Sequence, residues 1–151
     1  MSWTRVFVFL PITSLISISA LATLGESESS VADVKTRLSG KARVQSLEKF
    51  KVHEITITGV VIREYVGSDG RVFAVAWRGM RQPDLEPLLG TYTNEFRAAD
   101  RQRPERRGLR EPVSTKTSQI IVHRSGHMRD IRGLAYLPDR LPAGVALEDL
   151  E

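Results

Sequence analysis

Three histidines, His53, His123 and His127, are the side chains of this sequence best suited to metal ligation or proton transfer. A metal site built on a helix needs ligands that share one face, as an i, i+4 pair does. No pair here has that arrangement on an expected helix. A hairpin around Ser125-Gly126 would pair His123 with Met128 and send His123 and His127 to opposite faces. No metal or cofactor site is expected. His53-Glu54 and Arg63-Glu64 invite acid–base chemistry, but neighbouring strand residues face opposite ways, so His53 and Glu54 cannot serve one site directly. Catalysis would require Glu54, Glu64, His123 or Asp130 to converge in a concave pocket. VSTKTSQ is rich in hydroxyls, yet no G-x-S-x-G elbow and no phosphate-binding glycine loop occurs. No catalytic residue is assigned.

Two groups of binding candidates stand out. Arg63, Tyr65 and Trp77 fall on strands where a guanidinium could stack on an aromatic ring and cradle an anionic or flat ligand. The competing reading is that these aromatics simply pack in the core. The second group is RAADRQRPERRGLR, residues 97–110, where six arginines face only Asp100 and Glu105. That local excess equals the net charge of the whole chain, +4, so the rest of the protein is balanced. Arg103, Arg106 and Arg107 could grip a polyanion or an anionic membrane surface. The alternative is a solvated loop whose charge aids solubility, and no aromatics interleave with the arginines for base stacking.

Positioning these residues requires strands. KVHEITIT, VVIREYV and RVFAVAWR alternate with period two, with a tight connection at Thr58-Gly59 and a three-residue loop at Ser68-Asp69-Gly70. With Gly67 opposite Arg71, uninterrupted pairing puts Tyr65 opposite Phe73 and Val61 opposite Trp77. Val61, Arg63, Tyr65, Phe73, Val75 and Trp77 then share one face. RVFAVAWR is apolar on both faces, which marks it as central. Asp84 caps a helix in which Leu85, Leu88, Leu89, Tyr92 and Phe96 recur at helical spacing, with Gly90 as a point of close approach to the sheet. VSTKTSQIIVHR and HMRDIRGLAYL make a second hairpin, and LPDRLPAGVALEDL folds back on the core. The expected fold class is α+β: a single antiparallel sheet, β-β-β-α-β-β, with one amphipathic helix packed on it.

The N-terminus, MSWTRVFVFLPITSLISISALATLG, carries one charge, Arg5, before an apolar run that closes on Ala20-Leu21-Ala22. Residues 1–22 read as a signal peptide cut after Ala22, giving a periplasmic or secreted protein with no transmembrane segment after cleavage. The rival reading is an uncleaved anchor over Val6 to Leu24. Residues 23–50 read as a polar arm, with Ser29 or Ser30 capping a short helix over Val31, Val34 and Leu38. Residues 51–151 read as a single domain. The chain has no cysteine, which excludes a disulfide framework, a thiolate metal site, a cysteine nucleophile and a lipidated cysteine.

VHE (52–54), REYV (63–66), GRVFAVAWRG (70–79), PDL (83–85), LLGTY (88–92), SGHMR (125–129), GLAYLP (133–138) and LPAGV (141–145) occur in order. Together they resemble a family of small exported proteins, mostly proteobacterial, described only as a domain of unknown function. The resemblance spans roughly residues 23–151 and implies export and a single domain; it brings no catalytic residue, cofactor or substrate. The resulting expectation is a non-catalytic periplasmic binding or envelope-interaction domain, its partner an envelope component or anionic surface. The alternatives are a polyanion or membrane-surface binder acting through the Arg-rich loop, and an enzyme with an unrecognised site.

Overall fold

The computed structural model describes residues 23–28, 41–57, 59–102 and 112–150. Its organising element is β4, Val72–Gly79, whose first six side chains are all buried. A strand apolar on both faces is stable only with layers above and below and neighbours on both sides. β4 accordingly pairs with β3 (Val60–Val66) on one side and β7 (Asp130–Tyr136) on the other. β2 (Lys51–Ile57) and β1 (Lys41–Ser46) extend the sheet beyond β3, and β6 (Ile121–His127) and β5 (Val113–Lys116) extend it beyond β7. The result is a seven-stranded antiparallel sheet in the order β1-β2-β3-β4-β7-β6-β5.

This corrects the expected β-β-β-α-β-β order. The described elements run β-β-β-β-α-β-β-β, with the helical segment composed of α1 (Glu86–Leu89), a 3-10 turn (Gly90–Tyr92) and α2 (Thr93–Arg101). The additional first strand, KARVQS, is polar because it is a sheet edge, where charged side chains deter pairing with another chain. The additional C-terminal strand arises because VSTKTSQIIVHR turns in the middle. The Thr117 hydroxyl oxygen accepts from the N–H groups of Gln119 and Ile120, at 3.3 and 3.0 Å, and the Thr117 N–H donates to the Ile120 carbonyl. Such local hydroxyl bonds compete with strand pairing. The helix expected over Val31, Val34 and Leu38 lies outside the described residues.

Two register expectations also change. The loop after β3 forms as expected: the Gly67 N–H donates to the Arg71 carbonyl at 2.9 Å, and Gly70 has φ +70°. Beyond it, however, Val66 pairs with Val72 and Tyr65 with Ala74, leaving Phe73 as the extra residue of a bulge. Ile62, not Val61, therefore faces Trp77. In the last hairpin, His127 pairs with Asp130, so the turn is Met128-Arg129 rather than Ser125-Gly126. Arg129 takes φ +68°, a conformation glycine would adopt without strain.

Each face of the sheet has its own apolar cluster. On the helix face, Val60, Ile62, Val75, Trp77 and Val122 pack with Leu85, Leu88, Leu89 and Phe96. Asp84 acts at the helix start, its carboxylate accepting from the Glu86 N–H at 3.0 Å. Leu24 joins the same cluster. Its N–H donates to the Leu88 carbonyl, and Gly25 and Glu26 bond to Val72. Gly90 is where this segment comes close: a Cβ there would lie 1.7 Å from the Thr23 methyl, and φ is +51°. Its close neighbour is thus the N-terminal segment and not the sheet, and its backbone divides the helix in two. On the opposite face, Phe50, Tyr65 and Phe73 pack with Val145 and Leu150 of the C-terminal segment.

Candidate functional site

The C-terminal segment covers only part of its face. The Tyr65 hydroxyl donates to the Leu150 carbonyl at 2.9 Å, and the Phe50, Tyr65 and Phe73 rings meet at centroid distances of 5.7 to 6.2 Å. Toward the other ends of the strands the face holds an open depression of about 500 Å³. Strand order builds it in two rows. Glu54, Arg63, Ala76, Leu134 and His123 lie side by side across β2, β3, β4, β7 and β6. Val61, Arg78, Arg132 and Ser125 form the adjacent row. Ala76 and Leu134 make an apolar floor, and the guanidinium groups of Arg63, Arg78 and Arg132 stand around it.

The charges are paired unequally. Arg63 donates to Glu54 at 2.9 Å, and this bond holds the guanidinium pKa above its ordinary value. Arg78 and Arg132 both engage Asp130, at 3.0 and 2.8 Å. Hydrogen bonds from Arg132 and then Arg78 keep the Asp130 carboxyl below the usual carboxylate range. Arg78 and Arg132 thus converge on one carboxylate, while Arg63 has its own in Glu54. The His123 ring stacks on Tyr136 at 5.9 Å between centroids.

Of the first group of binding candidates, Arg63 and Trp77 both line this depression, but only Arg63 lies on its face of the sheet. Tyr65 is buried under the C-terminal segment, where burial raises its phenol pKa. Trp77 projects to the helix face, its ring lying over Gly133. The stack of Arg63 on Trp77 is therefore not formed, because the bulge at Phe73 puts them on opposite faces. Arg103, Arg106 and Arg107 lie outside the described residues. Of the described part of the Arg-rich segment, Arg97 pairs with Glu86 at 2.7 Å, and Asp100 turns inward to Arg124 and Thr115. Arg124 in turn sits over the Phe96 ring at 5.3 Å.

The acid–base candidates do not converge. Glu54 and His123 share a row but are separated by four strand spacings, roughly 19 Å. Glu64 faces the helix side with its carboxyl fully buried, and burial pushes its pKa up to about 8. The corrected hairpin puts His123 and His127 on one face after all, but four strand residues separate them by roughly 13 Å, too far for one metal ion. Among the described residues no group of three or more His, Asp or Glu could hold a metal, and no helix is long and apolar enough to cross a membrane.

Residues 20–150 match the family described as "Protein of unknown function (DUF2844)". The chain belongs to that family. No curated protein and no solved structure shows a significant match to it. The site residues of this DUF2844 chain therefore rest on its own geometry. Arg78, Arg132 and Ser125 were not singled out from the sequence. The one signal that could have found them is that Arg78 and Arg132 are charged residues interrupting otherwise apolar strand runs.

Proposed function

We propose that this DUF2844 protein is an exported, non-catalytic binding domain of the cell envelope, and that it takes an anionic ligand on the open half of its sheet. One observation carries the reading: Arg63, Arg78 and Arg132 all line one open depression floored by Ala76 and Leu134. The groups that meet there are hydrogen-bond donors on a rigid strand scaffold. Such groups hold an anion; general acid–base work would need a carboxylate and an imidazole within hydrogen-bond reach of one reacting atom. The test is an NMR titration with acetate, benzoate and sulfate. The backbone amides of Ala76, Ser125 and Gly133 should shift, and the Arg78→Gln/Arg132→Gln variant should lose the response. Shifts confined to residues 97–110, abolished by neutralising Arg103, Arg106 and Arg107, would move the function to the Arg-rich segment.

Export is supported by the apolar run from Val6 and the small residues Ala20 and Ala22. Expression with the native N-terminus in a Gram-negative host should yield periplasmic protein with the mass of a chain starting at Thr23. Full-length protein in the inner membrane or the cytoplasm would overturn this reading.

A further inference from the structure

We infer that one end of the sheet, carrying Gly59, Met80-Arg81 and the Met128-Arg129 turn, is a contact surface for an anionic lipid bilayer. This goes beyond the anion-binding reading and does not rest on it, since neither methionine and neither arginine lines the depression.

β2, β4 and β6 end, and β3 and β7 begin, on this side of the molecule. Met80 follows β4, its N–H donating to the Gly59 carbonyl at 3.3 Å, and Met128 is at the tip of the β6–β7 hairpin. Gly79 pairs with Ile131, so one to two strand spacings, on the order of 5–10 Å, separate the two tips. Met80 and Met128 are the two most exposed large apolar side chains among the described residues, at 63% and 96%. Each is followed by an arginine, Arg81 and Arg129, both exposed and neither paired with a carboxylate among the described residues. Arg129 holds φ +68°, so the tip keeps a cation at a position that favours glycine. The other end of the sheet has the opposite balance. There the loop after β3 and the C-terminal segment carry Asp69, Asp139, Glu148 and Asp149 against Arg71 and Arg140. Two protruding apolar tips flanked by cations make no groove for a folded partner. An isologous contact with a second copy would set Arg81 and Arg129 against like charges. A bilayer accommodates both features: the thioether side chains enter the headgroup–acyl boundary while the guanidiniums stay among the phosphates.

The chain has no cysteine, so Met128→Cys and Ser68→Cys each create one site for an environment-sensitive fluorophore. Ser68 is exposed in the loop at the opposite end. The purified protein, with its native N-terminus, is titrated with vesicles of phosphatidylcholine alone and with added phosphatidylglycerol. The probe replacing Met128 should shift to the blue only with phosphatidylglycerol vesicles, and the probe replacing Ser68 should not respond. In cosedimentation, Arg81→Gln and Arg129→Gly should each weaken vesicle binding about fivefold, and Met80→Ser/Met128→Ser about tenfold. Arg129→Gly also relieves the left-handed backbone, so its loss of binding would not come from a damaged fold. Binding that ignores lipid charge and these four positions would belong to the apolar run from Val6 and would overturn the inference. Binding lost only on neutralising Arg103, Arg106 and Arg107 would overturn it as well. Heparin binding with the same arginine dependence, but no blue shift on vesicles, would point to a soluble polyanion and also overturn it. Each of these failures leaves the depression untouched, because the acetate, benzoate and sulfate titration reads Ala76, Ser125 and Gly133.

Discussion

Trp77→Ala should destabilise the protein by about 3–5 kcal/mol, the range for removing a large aromatic from a packed core. The indole is 2% exposed and packs in the helix-face cluster with Ile62, Val75, Leu85 and Phe96. Its Nε1 has no partner among the described residues, so the cost is one of packing and not of a lost hydrogen bond. The ring crosses the sheet above Gly133, where a Cβ would lie 2.1 Å from Cζ2. Gly133→Ala should therefore cost about 1–3 kcal/mol or more, because neither the ring nor the central strand can yield. The two sites should couple: once Trp77 is alanine, the Gly133→Ala penalty should largely disappear, a non-additivity of about 0.5–3 kcal/mol. Urea unfolding of the two single variants and the double variant measures this. A Trp77→Ala cost below about 1 kcal/mol would mean an exposed ring and an incorrect face assignment for β3 and β4.

The same residue shows how far the sequence could be read. That VFAVAWR is central was legible, because only a strand with layers on both faces tolerates apolar residues at successive positions. The helix was legible from Leu85, Leu88, Leu89 and Phe96, whereas the N-cap position expected at Asp84 is taken by Leu85. The side to which Trp77 points was not. The loop pairing Gly67 with Arg71 was read correctly, yet one extra residue, Phe73, inverts every partner beyond it. Nothing in the local pattern marks Phe73 as that residue. Its reason is tertiary: the bulge keeps Phe73 beside Phe50 and Tyr65 while it turns Val75 and Trp77 into the helix-face cluster. The last hairpin was misplaced because Gly126 looks like a turn residue, whereas the positive φ falls on Arg129. Gly126 instead serves close packing, since a Cβ there would meet Ile131 and the Asp130 carbonyl near 3.0 Å. The candidate site was the least legible part. Arg78 and Asp130 are 52 residues apart in sequence and meet only because β7 returns to β4 after the chain has crossed to the far edge of the sheet.

Glu64 should make the stability of this protein fall as pH rises. Its carboxyl is fully buried on the helix side of β3, and neither oxygen has a partner among the described residues. An ionised carboxylate cannot be held there without compensation, so burial pushes the pKa from 4.5 to about 8. Between those values the folded protein keeps a proton that the unfolded chain has released. Each pH unit then costs about 1.4 kcal/mol, on the order of 5 kcal/mol across the window, with no further loss from this group above it. Below pH 4.5 the group is protonated in both states and contributes no slope. Its cross-strand neighbour is His53, whose Nε2 lies 3.4 Å from the Glu28 carboxylate, and Lys51 bonds that same carboxylate at 2.9 Å. These groups titrate or carry charge nearby, so the informative quantity is the difference between wild type and Glu64→Gln, in which their contributions largely cancel. Glu64→Gln is neutral at every pH and nearly isosteric. It should match wild type near pH 4.5 and be several kcal/mol more stable near pH 8. Urea unfolding midpoints at half-unit pH steps read this directly. Parallel pH profiles for the two proteins would mean that Glu64 is ionised in the folded state, and so held by a positive or hydrogen-bonding partner that its environment must then contain.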